Sequence, residues 1–285
     1  MSLLNLDRKK RALEIHQRAV DKYNSTYEKL QNSGNRLYMK RKDAILLIED
    51  IEKLINSIAN TPKEFETTLG KIRAERDQFS STDSYAEEAY KSTLKAGAGM
   101  AAGVGGGAAI AGMAPNAMMW IATTYGTAST GTAISALSGA AMEKAAAAWL
   151  GRTFLPKALL TGVGMKGGQA LLALAGPVGW GISGVSIAAS TAATGRKNRK
   201  IADAAVEEAE TITTAGAQLH EATAQIDQLF EETKLLQEKL SHQFETCKAF
   251  HEADFSQLNE ETQLLLGTLV NNTFSLSALL NKVVE

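Results

Sequence analysis

Charge almost vanishes from the middle of this chain. Between Ala96 and Gly195 only Glu143, Lys144, Arg152, Lys157 and Lys166 are charged. The same stretch holds 20 of the 24 glycines, all three tryptophans (Trp120, Trp149, Trp180) and three of the four prolines. A segment with so few charges is apolar enough to enter a bilayer and mild enough to stay folded in water when the arms cover it. The sequence therefore reads as three blocks: an N-terminal helical arm over 1–95, a Gly/Ala-rich apolar centre over 96–195, and a C-terminal helical arm over 196–285.

The nearly neutral total, 30 basic against 31 acidic residues, is a cancellation. Residues 1–95 carry 18 basic and 15 acidic side chains. Residues 196–285 carry 8 basic and 15 acidic, four of the basic ones packed into Arg196, Lys197, Arg199 and Lys200. Such a balance excludes a broadly basic nucleic-acid binder and suits pairing between the arms, although exposed pairs contribute little each. One cysteine, Cys247, excludes an internal disulfide framework and a multi-cysteine zinc site. Aromatic content of 6% disfavours a β-sandwich or barrel.

The arms carry helical periodicity. From Arg196 to Phe250 there is one glycine, Gly216, and no proline. Leu219, Ala222, Ile226, Leu229, Leu236, Leu240, Phe244 and Cys247 recur at gaps of three and four, with Thr233 off the pattern, which predicts one amphipathic helix of coiled-coil type. Phe255 to Val284 carries a denser stripe through Leu258, Leu264, Leu265, Leu269, Val270, Phe274, Leu279 and Leu280, with a bend expected at Gly267 or Asn271–Asn272. In the N-terminal arm, Leu13, Tyr23, Tyr27 and Leu30 mark a first helix, Gly34–Asn35 a break, and Leu37, Ile45, Leu46, Ile48, Ile51, Leu54 and Ile55 a second helix. Asn60-Thr61-Pro62 ends that helix and starts the next, which Gly70 weakens. Ser81-Thr82-Asp83-Ser84 offers N-cap chemistry for a helix running into the centre. The expected fold class is all-α: long bundle or coiled-coil arms flanking an apolar helical-hairpin centre.

Two uncharged runs, Ala96 to Met142 and Gly167 to Gly195, each exceed the roughly 20 residues a spanning helix needs. They are rich in Ala, Gly, Thr and Ser, so their apolar character is mild. Gly99, Gly103 and Gly107 recur every four residues, a spacing that lets helices approach closely. Gly176-Pro177 divides the second run as a hairpin turn would, and Trp120, Trp149 and Trp180 suit a bilayer interface. Arg196, Lys197, Arg199 and Lys200 follow directly and are the expected contact with anionic headgroups. These features lead to an expected lipid-bilayer partner. A tightly packed soluble core of small residues, serving a coiled-coil scaffold or adaptor, is the rival reading.

Catalytic motifs fare poorly. Gly162-Val163-Gly164-Met165-Lys166-Gly167 matches the dinucleotide glycine spacing but lacks the preceding strand and βαβ rhythm. Gly105-Gly106-Gly107 has no Lys-Ser/Thr after it. His16, His220, His242 and His251 are scattered, and Cys247 lies on the apolar stripe as a core thiol. No catalytic residue, cofactor site or metal site is expected, nor a nucleic-acid partner. Met1 to Lys10 shows no secretory signal, which leads to a cytoplasmic and membrane-associated expectation, with leaderless export as the other route.

Residues 122–141, from Ala122-Thr123-Thr124-Tyr125-Gly126 to Ser138-Gly139-Ala140-Ala141, and 173–180, Ala173-Leu174-Ala175-Gly176-Pro177-Val178-Gly179-Trp180, resemble a small-residue motif of uncharacterised bacterial glycine-rich proteins. The layout, long helices at both ends and an apolar head between them, resembles α-helical pore-forming toxins of the cytolysin A and haemolysin BL class. That resemblance implies a soluble form that hides the head, an oligomer of similar helical proteins, and an inserted state. The centre is longer than such heads, and a defence effector acting on membranes from inside the cell fits the missing signal.

Overall fold

The computed structural model describes residues 2–80, 114–154 and 195–284. The protein is all-α: the described residues form α1 (Ser2–Ser57), α2 (residues 63–80), α3 (Ala114–Tyr125), α4 (Gly139–Phe154), α5 (Gly195–Cys247) and α6 (Glu260–Leu280), with a short 3₁₀ turn between α3 and α4 and two between α5 and α6. Extended pairing among these residues is limited to two isolated bridges, Ala59 with Asp254 and Thr127 with Ala133. The chain divides into two compact units. Unit 1 draws on Met1–Asn32 and Ala86–Thr223, and unit 2 on Ser33–Tyr85 and Ala224–Glu285. The blocks of composition and the units of packing are thus different divisions, because each unit takes part of both arms.

Unit 2 is built from two helical hairpins. In the first, Glu52 of α1 takes Arg73 and Arg76 of α2 on one carboxylate, the Arg76 bond at 3.0 Å, and Tyr38 lies against Phe79 with ring centres 6.3 Å apart. These pairs run in opposite directions along the two helices, so α1 and α2 are antiparallel. In the second hairpin, Asn272 of α6 donates to Gln243 of α5 at 2.8 Å, and Lys282 just past α6 reaches Glu232 at 3.0 Å. Hydrogen bonds from Gln228 and Lys282 hold the Glu232 carboxyl below the usual carboxylate range.

The two hairpins pack side by side in the same sense. Arg36 pairs with Asp227 at 3.0 Å and lies over the Phe230 ring, while Ala59 bridges to Asp254, so α1 and α5 run parallel. On the other side, Lys71 lies over Phe274, and Asn281 donates to Glu75, so α2 and α6 are also parallel. Between them Leu37, Ile48, Ile51, Ile72, Leu240, Leu266, Leu269 and Leu276 are wholly buried. Each such side chain contributes about 1.5–3 kcal/mol relative to exposure. Arg41 is buried too, and its guanidinium donates to the Lys282 carbonyl at 2.6 Å, meeting the negative end of α6.

The hairpin turns are tied to each other. Ala59 N–H donates to the Ala253 carbonyl at 2.8 Å, and Phe255 N–H donates to the Ala59 carbonyl at 2.9 Å. The Glu252 N–H reaches Ser57 Oγ at 3.2 Å, and Asn60 Nδ2 donates to Asp254 at 3.0 Å. Asn60 and Glu252 both take left-handed backbone, with φ of 56° and 60°. Asp254 also accepts from the Ser256 N–H and hydroxyl, and these bonds hold its carboxyl below the ordinary range. Phe65 and Phe255 close the end edge-to-face at 5.5 Å. Pro62 sits immediately before α2, and Asn259 caps α6 by accepting from Thr262 N–H.

Three expectations need correction. Gly34–Asn35 does not break α1, and α6 is continuous through Gly267 and Asn271–Asn272. A helical glycine costs about 1 kcal/mol, which tertiary burial offsets. Gly267 lies against the Phe65 ring, at 3.9 Å from where a Cβ would sit, and Asn272 makes the bond to Gln243. The apolar stripes also include outsiders: Leu46 is 62% and Leu264 71% exposed. Conversely, Thr233 belongs to the buried stripe of α5, its hydroxyl satisfied by the Leu229 carbonyl at 2.7 Å.

Unit 1 mixes small and large side chains, with Tyr23, Tyr27, Leu30, Ile212 and Leu219 buried beside the alanines of α1 and α5. Ala12, Ala202 and Ala205 form a buried cluster with Leu13 beside it. Tyr23 packs over Gly216, and the buried His16 faces Glu208 with Nε2 3.3 Å from the carboxylate. With Arg8 paired to Asp203 at 2.7 Å, these contacts advance together along both helices, so α1 and α5 are parallel here as well. Burial pushes the Tyr27 phenol well above its ordinary pKa, with Tyr23 adding to the shift.

Candidate functional site

The part of the apolar centre that the structure describes is a hairpin of α3 and α4. Its connection returns on itself through Ala128 N–H to the Thr132 carbonyl at 2.8 Å and Ile134 N–H to the Gly126 carbonyl at 3.0 Å. Trp120, Ile121, Tyr125, Ile134, Ala146, Trp149 and Leu150 are buried, and Trp120 meets Tyr125 edge-to-face at 5.8 Å. Gly126 is the close approach of this hairpin. A Cβ there would lie 2.5 Å from the Ala122 carbonyl oxygen and 2.9 Å from the Trp149 ring. Arg152 reaches the Thr127 carbonyl at 3.3 Å.

The sequence-derived site residues fare differently. Trp120 and Trp149 pack inside protein rather than facing outward. Gly99, Gly103, Gly107, Gly176, Pro177 and Trp180 lie outside the described residues, as do the 81–84 cap and the 162–167 glycine pattern. Arg196 and Lys197 stand in the first turn of α5, and Arg199 and Lys200 follow with exposed side chains. Arg199 Nε lies 3.9 Å from Asp203, the carboxylate that also receives Arg8. None of the helices described is long and apolar enough to cross a membrane.

Chemistry-bearing residues are dispersed. Among the described residues no three His, Cys, Asp or Glu side chains gather as a metal site would need. His220, His242 and His251 are exposed. Cys247 is buried, and desolvation pushes its thiol pKa up, which keeps it a poor nucleophile. Two open grooves stand out. One, in unit 2, is lined by Asp50, Lys53, Leu54, Phe244, Lys248 and His251 and has a volume of about 280 Å³. Its charges are spent locally: Lys53 on Asp50 at 3.0 Å, and Lys248 on Glu245 at 2.6 Å and over the Phe244 ring. The other, in unit 1, has a volume of about 320 Å³ and runs between α1 and α5, lined by Asp7, Arg8, Arg11, Ala12, Ile15, Ala202 and Val206.

Sequence spacing does not join the two walls of that second groove, which come from α1 and α5. The run Arg8-Lys9-Lys10-Arg11 was visible as charge, but its neighbour was not. No protein-family model matches the chain, and no curated protein or solved structure is significantly similar to it.

Proposed function

We propose that this is a membrane-active helical protein: the charged helices of the two arms remain in water while the central segment enters the bilayer, and several copies assemble there into a pore. One observation carries the reading. Two uncharged runs of 47 and 29 residues, Ala96 to Met142 and Gly167 to Gly195, lie between arms that hold nearly all of the charge. The packed bundle of unit 2, with its large buried side chains and tied turns, supports this by giving the arms a fold that needs no lipid. The test is dye leakage from anionic liposomes together with recovery of the protein in the bilayer fraction. Leakage with carbonate-resistant association is the expected result; absence of binding at every pH and salt concentration overturns it. Replacing Gly103 with Leu impairs assembly if the Gly99–Gly103–Gly107 face packs helices together.

A second reading has its own support. The hairpin of α3 and α4 buries both of its tryptophans within protein, as the core of a soluble coiled-coil scaffold would. That reading requires a monodisperse protein that stays off membranes, so partition on expression separates the two.

A further inference from the structure

The parallel course of α1 and α5 has a chemical result at the start of unit 1. Two antiparallel helices would place the basic start of one beside the end of the other. Here the contacts Arg8–Asp203, His16–Glu208 and Tyr23–Gly216 set both helix starts at the same end. Arg8, Lys9, Lys10 and Arg11 of α1 therefore share that end with Arg199 and Lys200 of α5, which follow Arg196 and Lys197 in the chain. Only Asp7 and Asp203 offset them within these turns, and Asp203 is already shared by Arg8 and Arg199. Both helix N-termini add the positive end of their dipoles. Glu14 and Glu207 are the chain neighbours of Ile15 and Val206, turned about 100° from them round each helix.

The zone is also apolar in the right places. The groove between the helices has Ala12 and Ala202 as its floor, Ile15 and Val206 on its sides, and Arg8 and Arg11 on its rim. Ile15 is 44% and Val206 38% exposed, and Leu6 nearby is 47% exposed. Exposed aliphatic side chains among cations suit a surface that is anionic outside and hydrocarbon beneath. A phosphate backbone would reward the cations and leave the aliphatic groups in water.

We propose that this end of unit 1 docks on the anionic face of a lipid bilayer, with Arg8, Arg11 and Arg199 on headgroups and Ile15 and Val206 entering the acyl boundary. The proposal rests on the membrane reading above and adds the surface that makes first contact. The full chain should float with vesicles of phosphatidylglycerol and phosphatidylcholine, not with phosphatidylcholine alone, and added salt should weaken the association. The Arg8→Glu/Arg11→Glu variant should bind at least about tenfold more weakly, since each cation near such a surface contributes severalfold. Lys63→Glu, an exposed change in unit 2, should bind as the wild type does. Should loss of the Arg8–Asp203 pair unfold the variant by circular dichroism, Arg11→Glu alone removes no ion pair described above and should still weaken binding severalfold. Unchanged vesicle binding and leakage in a folded variant overturn the docking surface and leave the proposed function standing. A wild-type chain that binds duplex DNA but no vesicle, or binds neither, overturns both.

Discussion

The two units pack the same pair of helices in the same parallel sense but with different side chains. In unit 2, α1 and α5 belong to a four-helix arrangement filled by Ile48, Ile51, Ile72, Leu269 and Leu276. In unit 1 the same two helices begin on Ala12, Ala202 and Ala205 and bury Tyr23, Leu30, Ile212 and Leu219 further along. Large aliphatic residues bury area and resist truncation. Small ones bury little and resist enlargement. One pair of helices thus starts on small side chains and passes to large ones along its length.

The contrast is broken most directly in unit 2. Ile51→Ala should destabilise that unit by about 3 kcal/mol, read as a lower urea midpoint with the slope unchanged. The matching truncation in unit 1, Ala205→Gly, should cost only about 1 kcal/mol, the helix propensity of glycine. An equal cost for both would erase the distinction. Glu52→Ala should come next, at about 2 kcal/mol, because it leaves Arg73 and Arg76 without the carboxylate they share between α1 and α2.

Enlargement reverses the order of sensitivity. Gly126→Ala should cost roughly 1–3 kcal/mol by forcing the Trp149 ring and Ala122 apart, and should shift tryptophan fluorescence as Trp149 moves. Gly70→Ala, where an added Cβ meets nothing within 4 Å, should stabilise α2 slightly, by up to about 1 kcal/mol.

The smallest effect tests the tied turns of unit 2. Asp254 has its carboxyl held low by Ser256 and Asn60, so its contribution is present above the unfolded-state carboxylate range and is lost as pH falls through the folded-state value. Asp254→Asn keeps a capping side chain but removes the charge. Its stability should trail the wild type at neutral pH, and the two curves should converge as pH falls below about 4. Parallel curves would mean that the charge contributes nothing.

Much of the helical architecture was legible in the residues because it depends on spacing. The α5 stripe from Leu219 to Cys247, the stop at Asn60-Thr61-Pro62 and the start of α2 follow from periodicity and from proline chemistry. Gly34 misled because local propensity is about 1 kcal/mol and packing outweighs it. Leu46 and Leu264 misled because periodicity marks a face without saying whether a partner covers it. Thr233 was passed over because its hydroxyl looks polar until the Leu229 carbonyl is seen to accept it.

The sequence by itself determined that the chain is helical, that its arms are amphipathic, and that its centre lacks charge. Those properties are local, set by residue type and by periods of three and four. Only the tertiary structure decided the direction of α1 relative to α5, since a stripe packs equally well against a parallel or an antiparallel neighbour. That direction ties the Ala59 and Ala253 turns together, and it brings Arg8-Lys9-Lys10-Arg11 beside Arg199 and Lys200. Two clusters nearly two hundred residues apart become one surface through contacts such as Arg8–Asp203, which no local pattern specifies.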